Sequence, residues 1–123
     1  MTSLQSFEDV HAWQKGRELA HLIYRATDSC GIGRDFALRD QLRRAALSVV
    51  SNIAEGFERT GGGREFRHFL SMAKGSTGEI RSQLYVALDA GLLSQVDFDR
   101  IAAMALETGR LIGGFMRYLE ERK

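Results

Sequence analysis

The chain has 123 residues, of which 44% are hydrophobic and 27% are charged. This balance is typical of one globular domain and excludes a disordered chain. The 17 lysine and arginine residues stand against 16 acids, and the formal net charge of +1 excludes a chain that is strongly basic throughout. Proline is absent, which favours long, uninterrupted helices.

A single cysteine, Cys30, excludes an internal disulfide framework and a cysteine-based zinc site. The N-terminal stretch MTSLQSFEDVHAW is polar and acidic, and no run of about 18 apolar residues occurs in the sequence. We therefore expect a soluble protein of the reducing cytoplasm.

Four helical segments, separated by glycine-containing breaks, follow one another along the chain. Gly31 and Gly33 follow the first, Gly61–Gly63 predict a loop after the second, Gly91 follows the third, and Asp97 occupies the predicted N-cap of the fourth. The predicted helices cover residues 9–29, 36–58, 64–90 and 97–121. Because no segment reads as a strand and the loops are short, we expect an all-α, up-down-up-down four-helix bundle formed by one domain, residues 1–123.

The second helix is unusually apolar. The third helix carries one apolar stripe of roughly 100°, the width of a single core-facing surface. In the second helix, apolar residues from Leu38 to Phe57 spread over roughly 200°. The excess predicts surface that is buried beyond one bundle, and hence a homo-oligomer. The alternative is a central helix that contacts more neighbours within one chain.

The residue types that carry catalysis are poorly placed in this sequence. His11, His21 and His68 lack metal-ligand spacing, and no Glu-x-x-His pair is present. The glycine-rich stretches GIGRDF and TGGGRE have no preceding strand and no Lys-Ser/Thr pair, so they do not predict a phosphate loop. We expect no catalytic residue, no cofactor and no metal site. A hydrolase using Glu55 and Glu79 as paired carboxylates is a remote alternative, because no nucleophile or base accompanies them.

A basic stripe runs along the third helix beside its apolar face. Within roughly 100° of arc lie Arg64, Arg67, Ser71, Lys74, Gly78 and Arg81. The residues between the cations are small, so a phosphate backbone could approach closely. Arg43 and Arg44 are further candidates, since residues 34–74 carry eight cations against five acids. The alternative is a solvated helix face whose cations pair with acids of neighbouring helices.

A polar line crosses the apolar second helix. Its members are Gln41, Arg44, Ser48, Asn52 and Glu55. Since it borders a wide apolar arc, we expect Asn52 and Glu55 to be mostly buried and hydrogen-bonded, with Glu79 of the third helix as a further candidate. Such a structural polar network would set helix register and subunit docking.

Three stretches of the sequence resemble a known family. The family's signature, Q-[IL]-R-R-A-x-x-S-[IV]-x-x-N-I-A-E-G, is similar to the stretch QLRRAALSVVSNIAEGFER. Its opening pattern, F-x-D-L-x-V-W-Q-K-A, is similar to FEDVHAWQKGREL. Its third-helix pattern is similar to REFRHFLSMAKGSTGEIRSQL. The members of this family are bacterial four-helix-bundle proteins, first recognised as products of intervening sequences in large-subunit (23S) ribosomal RNA genes. The resemblance implies a ring, with a homopentamer as the expected form, and no known enzymatic activity.

A relative of that family suggests a partner. The accessory protein of diversity-generating retroelements is a basic ring-shaped bundle that works with a reverse transcriptase and nucleic acid. The resemblance therefore implies binding of RNA, DNA or a ribonucleoprotein, for which Arg43, Arg44, Arg64, Arg67, Lys74 and Arg81 are the candidate contacts. The alternative is a purely structural scaffold ring in which these cations pair with acids across subunits.

Overall fold

The computed structural model describes residues 4–28 and 31–122. These residues form four α-helices and no strand, which confirms the all-α prediction for the described part of the chain. Short 3-10 turns, Phe7–Asp9 and Ile32–Arg34, precede the first and second helices. The helices are α1 (His11–Thr27), α2 (Phe36–Glu58), α3 (Gly62–Asp89) and α4 (Gln95–Glu121).

The predicted bounds are correct for α2 and shifted elsewhere. The α1 helix begins at His11 because the preceding residues form a 3-10 turn, in which Asp9 accepts hydrogen bonds from the backbone amides of Gln5 and Ser6. Its predicted end at residue 29 lies outside the described residues, as does Cys30. The α3 helix begins at Gly62, so the predicted loop Gly61–Gly63 is wrong in its last two residues.

The start of α4 also differs from the prediction. Ser94, not Asp97, is the N-cap residue, and its hydroxyl accepts a hydrogen bond of 3.1 Å from the backbone amide of Asp97. The carboxylate of Asp97 lies in the first helical turn, where a negative charge is favourable near the helix N-terminus. A serine three residues before an acid is the usual pattern of an N-cap, and it begins α4 two residues earlier than predicted.

The end of α3 confirms the role predicted for Gly91. Its φ of +74° is left-handed, its amide donates to the Leu88 carbonyl, and the Leu92 amide donates to the Ala87 carbonyl. This pair of bonds is a Schellman motif, in which a glycine at C′ reverses the chain at low cost.

Each helix packs against the helix before and after it in the chain, and α4 closes the bundle against α1. Two contacts at each interface place consecutive helices antiparallel. They are Gly16–Val49 and Thr27–Arg43 for α1 and α2, Ser48–Ser76 and Gly56–Phe69 for α2 and α3, and Thr77–Gly109 and Lys74–Gly113 for α3 and α4. An ion-pair cluster ties α1 to α4: Lys15 lies 3.3 Å from Glu18 and 3.7 Å from Glu107. The hydrogen bond with Glu18, aided by the charge of Glu107, raises the pKa of Lys15. Because consecutive helices are antiparallel and α4 packs against α1, the described residues form an up-down-up-down four-helix bundle.

The core runs the length of the bundle. On α3 the predicted apolar stripe is confirmed for Leu70, Ala73, Thr77, Ile80, Leu84 and Ala87, which are buried. Its other members, Phe66, Phe69 and Leu88, are half-buried. On α2 only part of the wide apolar arc is covered: Val49 and Ile53 are fully buried, whereas the side chain of Leu47 is 49% exposed. Within residues 4–28 and 31–122, no helix is both long enough and apolar enough to cross a membrane.

Candidate nucleic-acid interface

A groove between α3 and α4 is lined by basic side chains from both helices. Its floor is made of small residues, because α4 presents Gly109 and Gly113, both buried, toward α3. A Cβ on Gly109 would lie 2.9 Å from the Thr77 hydroxyl, and one on Gly113 would lie 3.3 Å from Cε of Lys74. Gly109 thus leaves room for the Thr77 side chain, and Gly113 leaves room for the end of the Lys74 side chain. At Gly75 and Gly78 no atom lies within 4 Å of an added Cβ, so no such requirement applies to them within the chain.

The basic stripe predicted on α3 forms one wall of this groove. A cleft of about 910 Å³ lies between α3 and the C-terminal half of α4, and among its lining residues are Arg64, Arg67 and Lys74. A second cleft of about 250 Å³ continues along the same helices to Arg81. Both clefts are lined by Lys74 and Gly113, so they form one continuous groove. The structure therefore brings together Arg64, Arg67, Lys74 and Arg81.

The opposite wall adds cations that the pattern on α3 does not predict. Arg110 and Arg117 of α4 line the second cleft, and Arg117 also lines the first. Arg110 and Arg117 belong to the segment 75–123, which is slightly acidic as a whole. The net charge of that segment therefore gives no sign of a basic surface. A signal was present, however: the two arginines are seven residues apart, as are Arg67, Lys74 and Arg81, and this spacing keeps side chains on one side of a helix.

The middle of the groove has only positive charges. Four cations, Lys74, Arg81, Arg110 and Arg117, line the second cleft together with Thr77, glycines, Ala105 and Leu106. None of the residues lining this cleft is acidic or aromatic. In such a setting cations are not neutralised by the protein itself, so an anionic chain could displace their counterions.

Acids occur only at the end of the groove that is remote from the α3–α4 turn. Glu120 Oε2 lies 3.9 Å from Nη1 of Arg67, and Glu65 accepts hydrogen bonds from Arg59 and from the backbone amide of Gly61. Nε of Arg67 is buried and has no hydrogen-bond partner among the described residues. A buried donor in this position is satisfied well by an anionic oxygen.

The remaining predicted cations lie away from the groove. Arg43 donates a hydrogen bond of 2.8 Å from Nε to the Thr27 hydroxyl, and its guanidinium lies 4.6 Å from the centre of the Tyr24 ring. These contacts give Arg43 a structural role between α1 and α2. Arg44 is exposed on α2 and lines neither cleft. The structure does not bring either residue together with the α3 stripe.

The polar line on α2 includes a hydrogen-bonded cluster that faces α3. The Ser76 hydroxyl donates to the Ser48 hydroxyl at 2.8 Å, joining the two helices. Nδ2 of Asn52 donates to the Ser48 carbonyl at 2.9 Å and to the Ser48 hydroxyl at 3.0 Å. Ser76 is buried and Asn52 is half-buried. The expected hydrogen bonding of Asn52 is thus confirmed, and its burial in the single chain is partial.

The other members of the polar line do not join this cluster. Glu55 was expected to be mostly buried, which is wrong for the single chain: its side chain is 53% exposed and lies 3.4 Å from Arg59. On α2, Glu55 projects toward the surface, where Arg59 donates a hydrogen bond to its carboxylate. Glu79 is also exposed and accepts a hydrogen bond from Gln83, and Gln41 is exposed.

The structure also separates the two carboxylates considered as a catalytic pair. With Ser48 opposite Ser76 on antiparallel helices, Glu55 is level with residue 69 of α3. Glu79 is ten residues further on, which corresponds to about 15 Å along the axis. Carboxylates that act together in hydrolysis are typically less than about 10 Å apart. Among the described residues, no group of three or more His, Cys, Asp or Glu side chains could hold a metal ion.

One known protein family matches most of this chain. A family model described as 23S rRNA-intervening sequence protein matches residues 8–114. The chain belongs to this family. The match spans the Ser48–Asn52 cluster and the groove as far as Arg110, whereas Arg117 lies beyond it. Among curated proteins, none matches this 23S rRNA-intervening sequence protein.

Proposed function

We propose that this 23S rRNA-intervening sequence protein is a non-catalytic, oligomeric, cytoplasmic bundle that binds RNA or DNA through the α3–α4 groove. The proposal rests chiefly on one observation: both walls of the groove supply cations, and its middle section has four of them and no acid. Uncompensated cations along a groove attract a phosphate backbone and release its counterions on binding. The net charge of +1 is compatible with this function because six of the 17 lysine and arginine side chains line the two clefts of the groove.

Self-association is the second part of the proposal. The apolar arc of α2 is wider than one bundle covers, and large apolar side chains remain exposed on neighbouring helices, among them Tyr24, Phe36 and Leu47. Burial of such side chains between subunits is favourable, by about 25 cal/mol for each Å² of apolar surface. The family resemblance suggests a homopentameric ring, and a ring would repeat the groove around its circumference. A nucleic-acid enzyme such as a reverse transcriptase is a further candidate partner on the same resemblance.

The function is tested by titrating the protein with structured ribosomal RNA and with DNA at low salt. We expect binding whose affinity falls steeply as salt is added, because each neutralised phosphate releases counterions. The absence of binding to both nucleic acids at low salt would contradict the proposal. Light scattering on the same sample gives the oligomeric state.

A second candidate function is a protein scaffold without a nucleic-acid role. It is favoured by the exposed acids on the outer side of α2, Asp40, Glu55 and Glu58, which could pair with groove cations of an adjacent subunit. In that case Arg64→Glu or Arg67→Glu would change the mass of the assembly in light scattering. Under the nucleic-acid proposal the same variants keep the assembly and lose affinity for RNA and DNA.

A further inference from the structure

We infer that the α3–α4 groove holds one single strand of nucleic acid by its sugar–phosphate backbone and does not read its bases. This inference rests on the proposed function and specifies the form of nucleic acid that the groove accepts. Three features of the described residues support it: the register of the two rows of cations, their arrangement around the groove floor, and the chemistry of the residues between them.

The cations of the two helices alternate along the groove. Contacts of Thr77 with Gly109 and of Lys74 with Gly113 fix the antiparallel register. In this register Arg110 is level with residue 77 of α3, and Arg117 is level with residue 70. The cations therefore follow one another at levels 67, 70, 74, 77 and 81 of α3. Each step is three or four residues, or about 4.5 to 6 Å.

This spacing suits a single chain of phosphates. Phosphates of one stacked strand are about 3.4 Å apart along the helix axis, and they move further apart when the strand is extended. Five cations over fourteen residues cover about 21 Å, which is long enough for several consecutive phosphates. Interleaved cations fit one backbone that passes between the walls, whereas a grip on the two backbones of a duplex would place cations in opposed pairs.

The groove floor favours a strand whose backbone is accessible from both sides. Side chains of Lys74 and Arg117 meet above Gly113, at 3.3 Å and 3.7 Å from an added Cβ, so a backbone passing over them contacts cations of both helices. In a duplex the paired bases flank each backbone and leave mainly its outer side exposed. A single strand has no such obstruction.

The residues between the cations have little capacity to recognise bases. The second cleft contains no aromatic ring for stacking and no amide or carboxylate for base edges. Its one hydroxyl, that of Thr77, donates to the Lys74 carbonyl at 2.7 Å. Single strands are usually read by stacking on aromatic side chains and by hydrogen bonds to base edges, so binding through this middle section of the groove is independent of sequence. The first cleft adds one aromatic side chain, that of His68.

The test uses the full-length protein and fluorescence anisotropy with labelled single strands of oligo-dT, oligo-dA and mixed sequence. A duplex of the mixed sequence and inorganic polyphosphate serve as comparison ligands. Arg110→Glu and Arg117→Glu reverse a charge in the groove, and Arg100→Glu is the matched control on α4, since Arg100 lies outside both clefts and next to Asp97. Light scattering of every variant reports its assembly.

We expect each groove variant to weaken single-strand binding by about tenfold or more at low salt, similarly for all sequences, and to lower the salt slope by about one. Arg100→Glu should bind like the parent protein. Glu120→Gln, which removes the acid next to Arg67, should bind a few-fold more tightly. The duplex should bind more weakly than the single strand of the same length.

The outcomes separate this inference from the proposed function. Binding of RNA or DNA that Arg110→Glu and Arg117→Glu leave unchanged would overturn the groove assignment and leave nucleic-acid binding intact. Tighter binding of the duplex, or strong preference for one sequence, would overturn the single-strand assignment alone. If the protein binds polyphosphate but binds neither RNA nor DNA, both proposals are overturned. Dissociation of the assembly in the two groove variants would also overturn the inference, because their cations would then be subunit contacts.

Discussion

A methyl group on Gly56 would stand 2.7 Å from Cβ of Phe69 and 2.8 Å from Cδ1 of Phe66. Gly56 is buried where α2 meets α3, and it follows Ser48 and Asn52 at intervals of four residues on the side of α2 that faces α3. The stretch SVVSNIAEG, residues 48–56, therefore combines the hydrogen-bonded pair Ser48–Asn52 with a point of close approach at Gly56. Both parts act on the packing of α2 against α3.

Gly56→Ala should lower the free energy of unfolding by about 1 to 3 kcal/mol, because Cβ of Phe69 is fixed to the α3 backbone and cannot move aside alone. Chemical denaturation followed by circular dichroism measures the change. Gly75→Ala is the control, since nothing lies within 4 Å of its added Cβ. There alanine should raise the stability by up to about 1 kcal/mol through helix propensity. Equal effects of the two substitutions would contradict the packing argument.

Gly31 and Gly91 share a left-handed backbone, with φ of +84° and +74°, but their surroundings differ. At Gly91 an added Cβ meets nothing within 4 Å, whereas at Gly31 it would lie 2.6 Å from the Leu92 carbonyl oxygen. Gly91→Ala should thus cost about 1 kcal/mol from backbone strain alone. Gly31→Ala should cost distinctly more, and its thermal midpoint should be the lower of the two. A Gly31 variant as stable as the Gly91 variant would refute the close contact with Leu92.

The hydroxyls of Ser48 and Ser76 join α2 to α3 at 2.8 Å, and removal of either breaks this bond between the helices. The Ser76 hydroxyl keeps a bond of 3.2 Å to the Met72 carbonyl, and the Ser48 hydroxyl keeps the bond from Asn52. Ser48→Ala should be the more costly change, at about 1 to 3 kcal/mol, because it also removes an acceptor of Asn52. The double variant should be less destabilised than the sum of the two single ones, which a double-mutant cycle measures. Additive losses would show that the two hydroxyls do not interact.

Asn52→Leu tests whether the polar cluster sets register and subunit docking. The substitution removes two hydrogen bonds to Ser48 and places an apolar side chain at a half-buried position. We expect lower stability together with a changed distribution of oligomers in light scattering. Asn52→Asp, which keeps the shape of the side chain, separates loss of volume complementarity from loss of the amide donor. An unchanged oligomer of undiminished stability in Asn52→Leu would contradict the role of Asn52 in assembly.

Periodicity was a sound guide to the helices because each one buries a continuous stripe. The apolar pattern of α3 predicted its buried residues from Leu70 to Ala87, and the glycine at position 91 marked its end correctly. The beginnings of the helices were harder to place. Ser94 and Asp97 are both good N-cap residues, and only the bond from the Asp97 amide to the Ser94 hydroxyl distinguishes them.

Only the α3 wall of the candidate groove could be predicted from the sequence. The α3 cations are visible on a helical projection, whereas Arg110 and Arg117 become relevant only when the register of α4 against α3 is known. That register depends on the contacts of Gly109 and Gly113, which no pattern within a single helix specifies. Glu55 shows the converse limit: its place on the border of an apolar arc suggested burial, but side-chain length let it reach Arg59 at the surface.

The contact between Gly31 and the Leu92 carbonyl joins the α1–α2 connection to the α3–α4 turn at one end of the bundle. The α3–α4 connection is thus braced against the α1–α2 connection, whereas Arg64 and Arg122 line a cleft at the opposite end of the same two helices. We therefore expect the end of the groove near Arg64 and Arg122 to adapt more readily to a bound strand than the braced end.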